Sequence, residues 1–464
     1  MVDAAAGPTH SQVNQLRGSF RGEIVEPGHS TYDDARRVWN AVFDRRPALI
    51  VRPIDVGDVA TAIRFGRERG LEIAVRGGGH SACGHSTCDG GLVIDLSKFR
   101  GVTVDPATRT ARANGGALLG ELDIAAQAHG LVCPVGVIGH TGVAGLTLGG
   151  GIGRLQRHFG LTIDSLRAVE LVTADGRTVR ASEADEPELF WGIRGAGANF
   201  GVVTAFEFDL HPFGPLLHRG ARIYPATHVQ ELWSTFRDFA PTAPDAVSLI
   251  FGIGRAEPAA DYPDSVAGQP IVIVSYNHSG SADAVERDIA ALLSGPEPAA
   301  VTAGSQPYLA VQVANDEAMA WGGRSFIRGG YANDLRPEVL DAIVEHVADA
   351  PGDGSLTITA QGGAIGRIAD EAMAFTGRDA RFDVSADISW PDASLDAANR
   401  AWVRRAMAIV GPDTITGRYA NENSDFGPEE TRATYGDAKL ARLTALKRAW
   451  DPDNTFHLNH NVTP

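Results

Sequence analysis

Residues 71–81 read LEIAVRGGGHS, an apolar run that ends abruptly in three glycines, a histidine and a serine. The run from Leu71 to Val75 has the length and apolar density of a buried strand, and the glycines break it into a turn. Upstream, PALIVRP at 47–53 reads as another strand, and DVGDVATAIRFGRERG at 55–70 sets Val, Ala, Ile and Phe at helical spacing. The order is strand, helix, strand, glycine turn. Consecutive glycines let backbone N–H groups converge on an anion, the geometry that cradles a diphosphate. The stretch does not spell the dinucleotide fingerprint G-x-G-x-x-G, because no glycine falls at the third required position and no apolar helix opens after it. A Rossmann reading therefore fails.

Two further glycine clusters follow. One is GVAGLTLGGGIG at 142–153, preceded by Cys133-Pro134 and by Gly139-His140; the other is RGAGANFG at 194–201, after Phe190-Trp191. The chain holds 54 glycines in 464 residues, well above the roughly 7% usual share. Three clusters in one half imply one extended ligand lying against backbone, and a dinucleotide fits that footprint better than a small metabolite.

Composition narrows the class. With 44% hydrophobic and 21% charged residues the chain is of ordinary globular type. A net charge of −16, from 41 Lys+Arg against 57 Asp+Glu, argues against a nucleic-acid or anionic-membrane partner. Three cysteines cannot build a disulfide framework, and the spacing of Cys83 and Cys88 lacks the paired form of a zinc site, so no metal is expected. The N-terminus, MVDAAAGPTHSQVNQLRGSF, shows neither leader nor anchor, and no run reaches the ~20 apolar residues that cross a bilayer. A cytoplasmic protein is the expectation.

Strands and helices with short turns continue as a mixed α/β pattern to about Pro212. Beyond it, Pro-rich seams at 256–270 and 294–307 separate helical stretches from strands such as QPIVIVSYN at 269–277, which reads as a second, α+β domain. In SLTITAQGG at 355–363, Thr357, Thr359 and Gln361 fall on one face of a strand. The tail carries an amphipathic helix, DAKLARLTALKRAW at 437–450, with an Asp-Pro stop.

Taken together, RGGGHS at 76–81, DGGLVIDL at 89–96, GVAGLTLGGGIG at 142–153, FGLTIDSL at 159–166, ELFWGIRGAGANFGVVT at 188–204 and DPDNTFHLNHNV at 451–462 resemble the FAD-linked oxidases of the vanillyl-alcohol oxidase type. The resemblance covers nearly the whole chain and is to the berberine-bridge-enzyme-like branch, in particular its bacterial polyketide-tailoring flavoenzymes such as the enterocin favorskiiase. It implies an α+β fold of two domains: a PCMH-type FAD-binding domain at 1–212 (core about 43–212, two α/β subdomains) and a substrate domain at 213–418 with an antiparallel sheet over the flavin. A berberine-bridge-like segment at 419–464 returns to the FAD domain.

The resemblance also implies site roles. His80 matches the histidine that bonds covalently to the flavin 8α carbon, with Arg76, Gly77, Gly78, Gly79, Ser81, His85, Gly139, Thr141, Gly142, Gly145, Gly149, Gly150, Gly151, Gly153, Gly201, Val202, Asn459 and Asn461 around the cofactor. The cysteine that makes a second flavin bond in many plant relatives falls opposite Ile138, five positions from Cys133, so a single link through His80 is expected. Tyr419-Ala420-Asn421-Glu422 resembles a Tyr-x-Asn-Tyr motif whose last residue is a base, which puts Glu422 in that role with Tyr419 and Asn421 beside it. Gln361 and His140 are further catalytic candidates; Thr357, Thr359, Trp321, Tyr331 and Tyr308 are cavity-wall candidates. Thr357 stands where the favorskiiase carries a glutamate. The implied reaction is hydride removal from a small organic substrate, a polyketide or other aromatic secondary metabolite, with O2 as co-substrate. Oxygen insertion through a flavin-oxygen adduct, or sequestration of a drug by a resistance flavoprotein, are the alternatives, and a homodimer is compatible with either.

Overall fold

The computed structural model describes residues 7–256 and 262–464. Residues 1–6 of the N-terminal stretch and 257–261 of the first Pro-rich seam lie outside the described residues. The strand, helix, strand opening forms as Leu49–Arg52, Val56–Glu68 and Ile73–Arg76. Asp55 caps the helix by accepting from the Asp58 backbone N–H at 2.9 Å. Val59, Ala62, Ile63 and Phe65 bury that helix against the sheet. Leu92–Asp95 lies between the two strands and parallel to both, with Glu23–Val25 added antiparallel at the edge. All four residues of Leu92–Asp95 are buried, as a covered parallel strand requires.

The chain up to Pro212 is less alternating than its sequence suggests. Val102–Asp105, Thr110–Asn114, Val202–Asp209, Leu166–Val172 and Thr178–Ser182 form a five-stranded sheet, in that order, with every pairing antiparallel. Two of its connections are hairpin turns, Val102–Asp105 to Thr110–Asn114 and Leu166–Val172 to Thr178–Ser182, while helices Leu119–Gln127 and Pro187–Ala196 lie in the longer crossings, so the helical stretches serve an antiparallel sheet.

The third sheet has eight antiparallel strands among the described residues. Their order is Ala300–Pro307, Leu216–Pro225, Pro270–His278, Val247–Arg255, Ser355–Ala360, Phe382–Trp390, Arg324–Ala332 and Thr414–Ile415. Ala300–Pro307 is an exposed edge strand inside what the sequence presents as a Pro-rich seam. One face of the sheet packs its apolar residues, including Leu356, Ile358, Val384, Ala386 and Ile388, on helices Val229–Phe239, Pro337–Ala348 and Asp396–Val410. The opposite, polar face turns towards the first two sheets. Helix Pro428–Trp450 then runs back, burying Leu443 and Leu446 with Phe190 and Trp191. Lys447, fully buried, fixes this return: its ammonium donates to Asp451 Oδ2 (2.7 Å), Asn199 O (2.8 Å) and Phe456 O (2.9 Å), which uses all three of its protons.

Candidate active site

A cavity of about 410 Å³ opens where the three glycine clusters, the polar face of the large sheet and the C-terminal segment meet. Gly77, Gly78, Gly79, His80, Ser81 and His85 line it from the first cluster; Thr141, Gly142, Gly145 and Gly149 from the second; Gly195, Gly197 and Gly201 from the third. A Cβ on Gly78 would sit 2.1 Å from the Gly142 nitrogen, and one on Gly142 would sit 2.2 Å from the Gly78 nitrogen. The first two clusters pack backbone to backbone, so neither position admits a side chain. Gly145 has no heavy atom within 4 Å of where its Cβ would be, so it faces open cavity.

Among the described residues, no lysine or arginine lines the cavity. A diphosphate there would be met by neutral donors, and clustered glycines supply them as converging backbone N–H groups. An extended flavin dinucleotide therefore fits the residues present.

His80 is held on several sides. Its ring stacks on Trp39 with centroids 5.0 Å apart and planes 13° from parallel. Its Nε2 lies 2.7 Å from His140 Nδ1, and its Nδ1 lies 3.4 Å from Thr141 Oγ1. Burial, with His140 adjacent, pushes the imidazole down to about 3, so it is neutral at physiological pH.

The sheet contributes an acidic wall. In Phe382–Trp390 the odd-numbered Asp383, Ser385, Asp387 and Ser389 share the polar face, while the even positions enter the core. Asp387 and Ser389 line the cavity, and Ile327 and Ser325 of the next strand stand directly opposite them. Glu422 joins this wall because its loop runs along strand Arg324–Ala332, where the Ser424 N–H donates to Ile327 O at 2.8 Å. Burial lifts Asp387 to about 6 and Asp383 to about 7; burial together with the negative charges of Asp383 and Asp387 pushes Glu422 well above the carboxylate range.

Several residues expected at the site lie elsewhere. Arg76 points away from the cavity: its guanidinium donates to Ala35 O (2.5 Å), Ser86 O (3.4 Å) and Arg36 O (3.3 Å), and it pairs with Asp95. Gly139 gives its N–H to Asp316 Oδ1 at 2.7 Å, and His140 is bound to His80 instead of facing the cavity. Gly150, Gly151 and Gly153 press on Phe375, Thr162 and Val135, and so serve close packing. Val202 is buried in the core, with Val203 lining the cavity in its place. Asn459 lines the cavity but Asn461 does not.

On the sheet, Thr357 and Thr359 do share the acidic face, opposite Ser385 and Asp383, yet the lining is drawn from the two strands beyond them. Gln361 is buried, with its backbone carbonyl accepting from the Arg157 guanidinium. Tyr331 sits in a core cluster with Tyr419, and Tyr308 in another. Trp321 is exposed, edge-on to His80 at 6.0 Å. Tyr419 reaches the cavity, but its hydroxyl accepts from the Gly151 and Ile152 N–H groups (3.2 Å each) and from Asn421 Nδ2 (3.0 Å), and burial raises the phenol's pKa. It positions the glycine turn and is a poor base. Cys133 is fully buried in an apolar cluster, whereas Ile138 lines the cavity.

Sequence reasoning missed Trp39, Asp387, Ser389 and His460, all cavity-lining. For Asp387 a signal existed: FDVSADISW alternates strictly, with two aspartates on one face. Trp39 and His460 have no such signal, because each arrives from a distant segment.

A backbone cradle for a dinucleotide, a neutral histidine beside it and a carboxylate wall facing both define an FAD-dependent oxidoreductase. Residues 47–182 match the family model described as FAD binding domain, and residues 418–463 match that described as berberine and berberine like. The chain is 31% identical over 469 residues to (R)-6-hydroxynicotine oxidase of Paenarthrobacter nicotinovorans, covering 96% of this chain and 97% of that one. It is 30% identical to an FAD-linked oxidoreductase of Dictyostelium discoideum, covering 97% of each. Among solved structures, 6-hydroxy-D-nicotine oxidase of Arthrobacter nicotinovorans superposes with a TM-score of 0.84 at 28% identity, over 96% of this chain and 98% of that chain. The berberine-bridge-like protein 1 of Physcomitrella patens shares the fold, with a TM-score of 0.87 at 23% identity, over 97% and 99%. The chain belongs to the berberine-bridge-enzyme-like FAD-linked oxidoreductases of the PCMH-type fold. It binds FAD and acts on a small molecule. Among the described residues no helix is long and apolar enough to cross a membrane.

Proposed function

We propose that this protein is an oxidase that removes two electrons from a C–H bond next to a hydroxyl or amine of a small organic substrate, with O2 as the final acceptor. FAD, when bound, supplies the two-electron acceptor, and His80 is its covalent anchor. The chain's own residues do the remaining work. The glycine loops hold the dinucleotide by backbone contact, and the polar face of the large sheet presents Ser325, Ser389 and Asp387 to the substrate, with Glu422 added from the adjoining loop.

The observation that carries this reading is the wall of buried carboxylates at a cavity without lysine or arginine among its described lining residues. Like charges at close quarters do not ionise together, so the acidic wall titrates as a unit. Glu422, pushed highest, stays protonated and donates a hydrogen bond. Asp387, lifted only to about 6, is the ionised member near neutral pH and takes the substrate's O–H or N–H proton. The base is thereby Asp387, and Glu422, expected in that role from the resemblance, is its hydrogen-bond-donating neighbour.

The test is anaerobic bleaching of the flavin by a panel of alcohols and amines, followed across pH. A base must be ionised to act, so the wild-type rate rises with pH through the range near 6. Asp387→Asn lowers it by about 10²- to 10⁴-fold and removes that rise. Glu422→Gln keeps a donor, lowers the rate less and retains the rise. Unchanged bleaching in both variants overturns the assignment. Peroxide formed in step with substrate consumption supports the oxidase reading, whereas labelled oxygen retained in the product overturns it.

A further inference from the structure

The structure fixes which nitrogen of His80 is free to react, through a chain of hydrogen bonds beginning outside the cavity. Asp316 follows helix Tyr308–Gln312 and grips the loop before the second glycine cluster twice. Its side-chain Oδ1 accepts from the Gly139 N–H at 2.7 Å, and its backbone carbonyl lies 3.2 Å from His140 Nε2. A carbonyl can only accept, so His140 turns an Nε2–H to it and its Nδ1 to His80 as an acceptor. That Nδ1 lies 2.7 Å from His80 Nε2, so His80 must donate from Nε2. The lone pair of His80 is thus on Nδ1, whose hydrogen-bond partner among the described residues is the Thr141 hydroxyl at 3.4 Å. Gln312 steadies the same loop by donating to Gly136 O at 2.9 Å, and the Trp39 stack fixes the plane of the His80 ring.

We propose that His140 is a positioning residue for cofactor attachment: held by the Asp316 carbonyl, it sets the His80 tautomer with Nδ1 as nucleophile and accepts the Nε2 proton as the bond to FAD forms. This rests on the covalent role of His80 above. In the step, a bond forms between His80 Nδ1 and the 8α carbon while one C–H bond of that methyl group breaks. The C–H proton leaves, its electron pair stays on the ring system, and His80 loses its Nε2 proton to His140 Nδ1. The retained electron pair leaves the cofactor two-electron reduced, and O2 takes up that pair with the two released protons, one from the methyl group and one through His140, to give H2O2. Attached at Nδ1 without a proton acceptor, His80 would be left an imidazolium in a buried site, which burial opposes.

The experiment compares acid-stable with total flavin in purified wild-type, His140→Ala and His140→Asn holoprotein. Wild type is expected to hold all of its flavin through acid precipitation. His140→Ala is expected to bind FAD with at least a tenfold lower acid-stable fraction, which rises on aerobic incubation with imidazole, a rescue that a merely structural defect does not show. If His140→Ala retains no flavin, His140→Asn decides the question, since it keeps an acceptor against His80 but is a far weaker base; a low acid-stable fraction, raised by imidazole, is again expected. Wild-type acid-stable fractions in the variant that binds flavin overturn the proposal, as does NMR of the wild-type flavin peptide showing attachment at Nε2. Flavin released entirely from the wild type by acid overturns the covalent role of His80 itself, and the role of His140 with it.

Discussion

Single residues at this site are read most sharply through the glycines. Gly142 and Gly145 are three positions apart in one cluster but answer to different neighbours. Gly142→Ala drives a methyl to 2.2 Å from backbone that has no room to yield, and the cost exceeds the ~1–3 kcal/mol of ordinary overpacking. Gly145→Ala meets nothing within 4 Å in the protein and gains up to about 1 kcal/mol of helix propensity, but it projects into the cavity. The expected outcome is a lower melting temperature and little flavin for Gly142→Ala, against an unchanged or higher melting temperature of the flavin-free protein with reduced flavin content for Gly145→Ala. Equal flavin content in wild type and Gly145→Ala contradicts the placement of the cofactor. The sequence revealed these clusters because glycine excess is visible without a fold. It could not separate Gly145 from Gly150 or Gly151, because the difference lies in what a distant side chain, Phe375 or Thr162, occupies.

At the scale of elements, helix Leu119–Gln127 and helix Tyr308–Gln312 meet through one buried carboxyl. Asp123 accepts from Gln312 Nε2 at 3.1 Å and from Tyr308 Oη at 3.4 Å, and burial lifts it to about 7. Unfolded, an aspartate titrates near 3.9. The folded state therefore keeps a proton that the unfolded chain has released, and stability from this group is full below about pH 4 and lost as pH rises through about 7. Relative to wild type, Asp123→Asn is expected to gain stability, on the order of a few kcal/mol, as urea melts are moved from about pH 5 to about pH 8. A constant difference across that range contradicts the assignment. Strands and helices with strong periodicity, such as Val56–Glu68 and Ser355–Ala360, were legible from residue spacing. The edge strand Ala300–Pro307 was not, since it is largely exposed and carries no apolar alternation. The pairing of Thr357 and Thr359 with the acidic strand was not legible either, because register depends on which strands become neighbours.

For the molecule as a whole, the two small sheets supply the cradle, the large sheet supplies the acidic wall, and the C-terminal helix closes the site through Lys447 and the segment Phe456–His460. Resemblance conveyed that architecture in outline, and the structure adds where each chemical group stands. The net charge of −16 is the acidic excess left over from the ion pairs, whereas the carboxylates of the proposed reaction, Asp387 and Glu422, are buried at the cavity. The proposed anchoring of FAD is open to one direct measurement. Acid-precipitated protein is digested with trypsin, and the peptide Gly77–Lys98 is fragmented in the mass spectrometer. The expected result is the mass of the flavin on His80 of that peptide. Flavin left in the acid supernatant, or found on His85 or on the peptide bearing Cys133, would contradict it.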